Sequence, residues 1–514
     1  MTTPLAKLTA EVKLLNLPGS LRFLNRLLAA SRSEVTDPAF VRMLTLRKGG
    51  TPTFFVRFLA KQLLLHSSEY SVNPLREKKY FELYDLFFQH DDPIADDPTW
   101  AKADPSGLFE RMFAQQIPAQ HQDLMQLYGL SLALYRDIGL SGPAHDYCLR
   151  SNVEDTIGMS VTDFMRMGFL CQGFTFPHSD GVSCRGAFSS EIVRDVAQQG
   201  FPTHDLTLWT RFLSLVACSR KEFSGLSQKE IFTAKSPAYT PFEFNPLLRF
   251  PVSRIDNRDY LSVDPQLLLE RTTLGLFYDC WERDGKSFTE KFGHSFDILV
   301  GNLLRSVQHE CPPWWEGEST RPKLKTEGKV ADWVITGKTA TTLFECKSMR
   351  PNLKLTTYGD ETALEEVRKR IADAVIQLTT HARGIEAGRW VERGLLARPC
   401  VGVVVTYGPI YTANLPFMRC RVQEKVRAAI GDPIPYVVLS IRDVDHLVRL
   451  CELGVSVGDA VTTMSGGEGS ADPLRVYSSV FDGHTPTSTF SQQKYEAFSE
   501  ELYTPDRFAL QYIV

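Results

Sequence analysis

No window of the 514-residue chain approaches the ~20 uninterrupted apolar residues that a membrane-spanning helix needs, so no membrane partner is expected. No pair among the ten cysteines has Cys-x-x-Cys spacing, and most stand in apolar contexts such as LVACSR, FYDC and RLCEL. That pattern reads as reduced core thiols rather than a disulfide framework. Cys171, His178 and Cys184 have metal-ligating chemistry, but their spacing fits no paired zinc knuckle and supplies no fourth ligand. A basic excess is missing too: the formal net charge is −4, so any polyanion must be bound by a local patch. The opening stretch MTTPLAKLTAEVKLLNLPGS has no basic segment followed by an apolar core and a small-residue cleavage site, and a cytoplasmic location is expected. No internal repeat or heptad array occurs.

An apolar fraction of 43% with 23% charged residues belongs to an ordinary globular protein, and the length suggests about three units at roughly 100 to 200 residues each. Residues 1–240 read as mostly helical: apolar positions recur every three or four residues in LRFLNRLLAA, FFVRFLAKQLLL and YFELYDLFF. Ser160 with Asp163 and Ser227 with Glu230 have the spacing of helix-initiating caps. The run HDDPIADDPTWAKADPSG at 90–107 reads as a solvated loop. Residues 241–286 suggest connecting strands and a helix. From 287 to 455 strands alternate with helices, which predicts a mixed sheet flanked by helices, an α/β core. The remainder, 456–514, contains SGGEGSAD and GHTPTSTFSQQ and reads as partly flexible.

The stretch VADWVITGKTATTLFECKSM at 330–349 carries the most chemistry. Its DWVITGKT nearly matches a phosphate-cradling loop, but Asp332 replaces the first glycine and ATTLF favours a strand where a helix is required. Two strands joined at Gly337-Lys338 fit better. With a two-residue turn, Thr336 faces Thr339 and Asp332 faces Leu343. Leu343, Glu345 and Lys347 then share a face with Asp332, while Trp333, Ile335, Phe344 and Cys346 point the other way. Asp332 and Glu345 become diagonal neighbours with backbones ~7–8 Å apart, within joint reach of one cation. Glu-x-Lys occurs four times in the chain, and only Glu345/Lys347 lies in a clear strand with an Asp-bearing partner. The competing reading is an exposed ion pair decorating a structural hairpin.

Helices on either side supply more candidates. In FTEKFGHSFDILVGNLL, Phe292, Phe296, Leu299 and Leu303 form an apolar stripe, and Gly293, Asp297 and Gly301 form a second line that brings a carboxylate to the sheet. Glu290, two turns earlier on nearly the same face, is the alternative acid. Downstream, Leu364, Val367, Ile371, Val375 and Leu378 make a buried face bordered by Arg370, Asp373, Gln377 and His381.

A helix of the type G-x-x-F-[ED], an Asp-bearing strand, an E-x-K strand and a helix with Gln-Leu resemble the PD-(D/E)xK nuclease superfamily over residues 287–410. The resemblance implies a restriction-endonuclease-like core, with Asp332 and Glu345 holding Mg²⁺, for which Mn²⁺ can substitute. It also implies that Asp297, standing where the family helix often carries Glu, joins Asp332 and Glu345 as a metal ligand, that Lys347 orients or activates water, and that Gln377 supports the site. Ala331 stands where the family pattern has Pro.

Phosphodiester hydrolysis needs a cation, a positioned water and help for the leaving oxygen, and hard carboxylates suit Mg²⁺. Arg321 to Lys354 contains eight Lys or Arg against three acids. Lys323, Lys325, Lys329, Arg350 and Lys354, with Arg370 from the following helix, are therefore expected to meet nucleic acid. The expected function is a metal-dependent nuclease with DNA favoured over RNA. Residues 1–240 would serve recognition, sensing or a protein partner, an arrangement resembling bacterial restriction and anti-phage effectors. The alternative is a catalytically silent nucleic-acid-binding or assembly protein of the same fold.

Overall fold

The structure, a computed structural model, describes residues 3–31, 52–90, 105–116, 123–138, 148–175, 187–200, 203–228, 237–255, 259–307, 330–466, 472–482 and 484–502. Its architecture is mostly helical, with two four-stranded mixed sheets and three apolar cores.

The amphipathic segments read from the N-terminal region are helices at Pro4–Val12, Leu17–Ser31, Thr53–His66 and Glu77–Phe88. Thr3 accepts the Ala6 N–H at 3.3 Å ahead of Pro4, so the first helix starts with a cap and a residue already fixed in helical φ. These helices bury Leu8, Leu24, Phe55, Leu59 and Leu83 in one core.

The first sheet comprises β1 (Ala187–Ser189), β2 (Ala217–Ser219), β3 (Val252–Arg254) and β4 (Asp259–Ser262), in the order β1-β4-β3-β2. β2 and β3 are parallel and the other pairs antiparallel. Its first two strands, β1 and β2, lie within the region read as mostly helical. Three-residue strands are too short to show a period. Ser227, read as a helix start, is the last residue of the helix Arg220–Ser227 and donates to the Phe223 carbonyl at 3.0 Å. The cap pair sits at the other end, where Ser219 and Glu222 bond reciprocally. Ser160 and Asp163 do cap the helix Val161–Thr175.

The second sheet holds β5 (Trp333–Thr336), β6 (Thr341–Lys347), β7 (Cys400–Thr406) and β8 (Tyr436–Ser440), in that order. β5 pairs antiparallel with β6, and β6, β7 and β8 run parallel. Every residue of CVGVVVT and YVVLS is buried, as continuous apolar strands covered on both faces should be. On one face, Trp333, Phe344, Val403 and Leu439 meet the helix Leu276–Arg305 and the helix Ile441–Glu452. On the other, Val334, Leu343 and Val404 meet the helices Glu361–Glu386 and Pro416–Ile430. Gly285, at φ 55°, breaks the line of Leu276–Arg305 where the sequence separates one helix from the next.

The first of these two cores is shared with elements far along the chain. Leu127, Phe164 and Trp209 from the N-terminal region belong to it, as do Val461 and Phe498 near the C-terminus. The segment read as partly flexible thus includes the helices Val457–Gly466, packed on β7 and β8, and Thr489–Leu502, packed on Leu124–Ser131. Residues 467–471 within it lie outside the described residues, as does most of the loop at 90–107.

The candidate metal and catalytic site

The β5–β6 hairpin places the site, and its register differs by two residues from the expected one. Thr336 pairs with Thr341 and Trp333 with Phe344, so the connection is four residues long, closed by the Gly337 N–H donating to the Ala340 carbonyl at 2.9 Å. Gly337 is not among the described glycines with positive φ, and a two-residue turn with Gly first requires that conformation. A shift of two keeps every side chain on its face, because the pleat repeats every two residues. Trp333, Ile335 and Phe344 accordingly share one core while Val334 and Leu343 face the other.

Asp332 is held just before β5. Its N–H donates to the Phe344 carbonyl at 2.9 Å, and its Oδ2 accepts the Cys346 N–H at 2.7 Å. One residue earlier, the Ala331 N–H donates to Nδ1 of the buried His381 at 2.9 Å, anchoring the chain to Glu361–Glu386. Burial drops the His381 pKa to about 4, which keeps the ring a neutral acceptor.

Glu345 projects from β6 with 2% exposure. Lys347 Nζ donates to its Oε1 at 2.6 Å, and Gln377 Nε2 donates to its Oε2 at 2.6 Å and to the Val330 carbonyl at 2.8 Å. Burial first, then the charge of Asp332, push Glu345 well above the ordinary carboxylate range against the pull of Lys347, and Asp297 adds to the rise. Burial works to lower Lys347, but Glu345 and Asp332 raise it on balance and keep the ammonium charged.

Asp297 comes from Leu276–Arg305. The indole N–H of Trp333 donates to its Oδ1 at 2.7 Å and reaches its backbone carbonyl at 3.2 Å. This approach depends on Gly301: a Cβ there would lie 2.0 Å from the Trp333 ring. The line Gly293, Asp297, Gly301 thus does bring a carboxylate to the sheet. Glu290 is exposed on the same helix, 3.7 Å from Lys286, which leaves Asp297 as the acid at the contact.

Ligand-type atoms of Asp297, Asp332 and Cys346 lie within 4.8 Å of one another. The expected metal set was Asp332, Glu345 and Asp297. The cluster instead has Cys346 in the third place, with Glu345 engaged by Lys347 and Gln377. Two carboxylates beside a further buried acid form a donor set that suits a divalent cation.

Of the expected nucleic-acid contacts, Lys354 is exposed and Arg370 is exposed but paired with Glu366 at 2.7 Å. Arg350 is engaged internally, its guanidinium 4.4 Å from the Tyr278 ring and donating to the Leu274 carbonyl at 3.2 Å. Lys323, Lys325 and Lys329 lie outside the described residues, as do His178 and Cys184; Cys171 is buried.

The sequence pattern places Trp333 and Cys346 only in core packing and His381 only on a polar helix border. Positions beside Asp332 and between Glu345 and Lys347 were the available signals. Comparison with known proteins finds no matching family model, no matching curated protein and no matching solved structure.

Proposed function

We propose that the chain is a divalent-metal-dependent nuclease that hydrolyses phosphodiester bonds, with DNA favoured over RNA. The observation that carries this reading is the convergence of Asp297, Asp332, Glu345, Lys347 and Gln377 from four separate segments at the end of β6. Charged groups are rarely buried together without a task, since desolvation opposes their ionisation.

Asp332 and Asp297, with Glu345 beside them, would hold the cation, Mg²⁺ or Mn²⁺. When bound, such an ion neutralises charge that develops on phosphate. Lys347 stands with its ammonium at the edge of the site, 30% exposed, where it can donate to an attacking water or to a phosphate oxygen. Gln377 fixes Glu345, and Trp333 fixes Asp297.

The helix Ser106–Gln116 supports a recognition or control role for the N-terminal region. Its buried Glu110 accepts from the Thr412 N–H at 2.9 Å and the Thr412 hydroxyl at 2.6 Å, on the connection after β7. Its Gln115 donates to the Thr356 carbonyl at 3.2 Å, on the connection after β6. A defence effector, in which such a region senses the invader, fits this arrangement. The silent-binder alternative draws support from Glu345, whose two oxygens are both already bonded.

Cleavage of linear, circular and single-stranded DNA and of RNA, with Mg²⁺, Mn²⁺ or EDTA, tests the proposal. Metal-dependent cleavage lost in Lys347→Ala is expected. Equal cleavage by wild type and a folded Lys347→Ala would overturn it, and nucleic-acid binding without cleavage would favour the silent reading. The variant's melting curve is needed beside it, because Lys347 is the cation paired with a nearly buried carboxyl.

A further inference from the structure

We propose that Cys346 is a metal ligand, making this a mixed carboxylate–thiolate site that binds borderline transition ions, of the Co²⁺ and Zn²⁺ class, through Asp297, Asp332 and the Cys346 sulfur. The inference rests on the same site as the nuclease reading and deepens it by naming the ion class.

The geometry follows from the alternation of β6. Glu345 and Lys347 leave one face of the strand, and Cys346 leaves the other, where Leu276–Arg305 packs. Asp332 is drawn over that residue because its Oδ2 takes the Cys346 N–H at 2.7 Å. Asp297 arrives from the helix side, its Oδ1 held at 2.7 Å by Trp333 and its helix pressed close by Gly301. Three donors from three separate segments thus lie within 4.8 Å of one another. Asp332 and Cys346 are half-buried, not sealed, so an ion can reach them from solvent.

Ligand chemistry then sets the preference. Two carboxylates alone suit hard ions such as Mg²⁺, whereas a thiolate adds affinity only for softer ones. On binding, the Cys346 S–H bond breaks, the sulfur donates an electron pair to the ion and the proton passes to buffer. Mg²⁺ at the same place would engage the carboxylates and retain water.

Co²⁺ is the probe, because a cobalt–thiolate bond gives a near-ultraviolet charge-transfer band that carboxylates do not. The full chain would carry Cys420→Ser, removing the one thiol that is exposed among the described residues. Titration with Co²⁺ should produce the band, and Cys346→Ser should abolish it. Calorimetry should show Co²⁺ affinity falling at least about tenfold in Cys346→Ser, the low end for loss of even an outer partner, and Mg²⁺ affinity falling less. Asp332→Asn, which keeps the thiol, should weaken the band in parallel. Absence of the band, its persistence in a folded Cys346→Ser, or equal losses for Co²⁺ and Mg²⁺ would overturn the inference. DNA cleavage with Mg²⁺, measured alongside, separates the two readings: cleavage without a band removes the thiolate and leaves the nuclease, and a band without cleavage does the reverse.

Discussion

Gly293 and Gly301 occupy equivalent places on the helix, yet alanine should have opposite effects at the two. At an ordinary helical position, Gly→Ala favours the helix by ~1 kcal/mol. At Gly301 the added Cβ would stand 2.0 and 2.1 Å from two ring carbons of Trp333, which is 2% exposed and cannot swing aside. Overpacking of that kind costs about 1–3 kcal/mol, occasionally more, so the clash outweighs the propensity gain. At Gly293 the nearest atom is the Ser348 hydroxyl oxygen at 3.3 Å, which a rotation about one bond relieves. Gly293→Ala should therefore melt at or slightly above the wild-type temperature. Gly301→Ala should melt lower, by about 2–4 °C for each kcal/mol lost in a unit of 150–250 residues. Because the Trp333 indole N–H holds Asp297, Gly301→Ala should also need more metal for half-saturation in a calorimetric titration. A Gly301→Ala protein as stable as Gly293→Ala, with unchanged metal affinity, would refute the claimed helix–sheet contact.

Asp297→Asn should raise the metal concentration needed for cleavage more than it lowers the rate at saturating metal. Glu290→Gln, altering an exposed acid, should leave both unchanged, and a metal titration of each variant checks this. His381 should make the fold acid-sensitive. Its folded pKa is about 4 against 6.5 unfolded, so the neutral ring's contribution is complete above pH 6.5 and lost as pH falls toward 4. A difference of that size is worth on the order of 3 kcal/mol, and thermal melts across that window should flatten in His381→Gln if it is the source. Glu345 carries the opposite sign: its raised pKa gives stability below the unfolded value of about 4.3 that is lost as pH rises, so Glu345→Gln should gain in Tm at neutral pH relative to pH 4 while losing activity.

The sequence by itself determined the elements with long periods and the residue types at the site. Helices such as Glu361–Glu386 and the buried strand CVGVVVT could be read because an apolar stripe or run repeats often enough to be counted. The faces of β5 and β6 were legible for the same reason, and they survived a wrong turn length because a two-residue slip preserves them. What only tertiary structure decided was contact between distant segments. Three-residue strands such as β1 carry no period, and their pairing depends on partners some 70 positions away. Neither the meeting of Trp333 with Gly301 nor that of Glu110 with Thr412 leaves a trace in local spacing. Asp297 and Glu290 lie on nearly the same helix face, so periodicity could not choose between them. The choice was made by where the helix crosses the sheet, a matter of side-chain volume at Gly301 and Trp333.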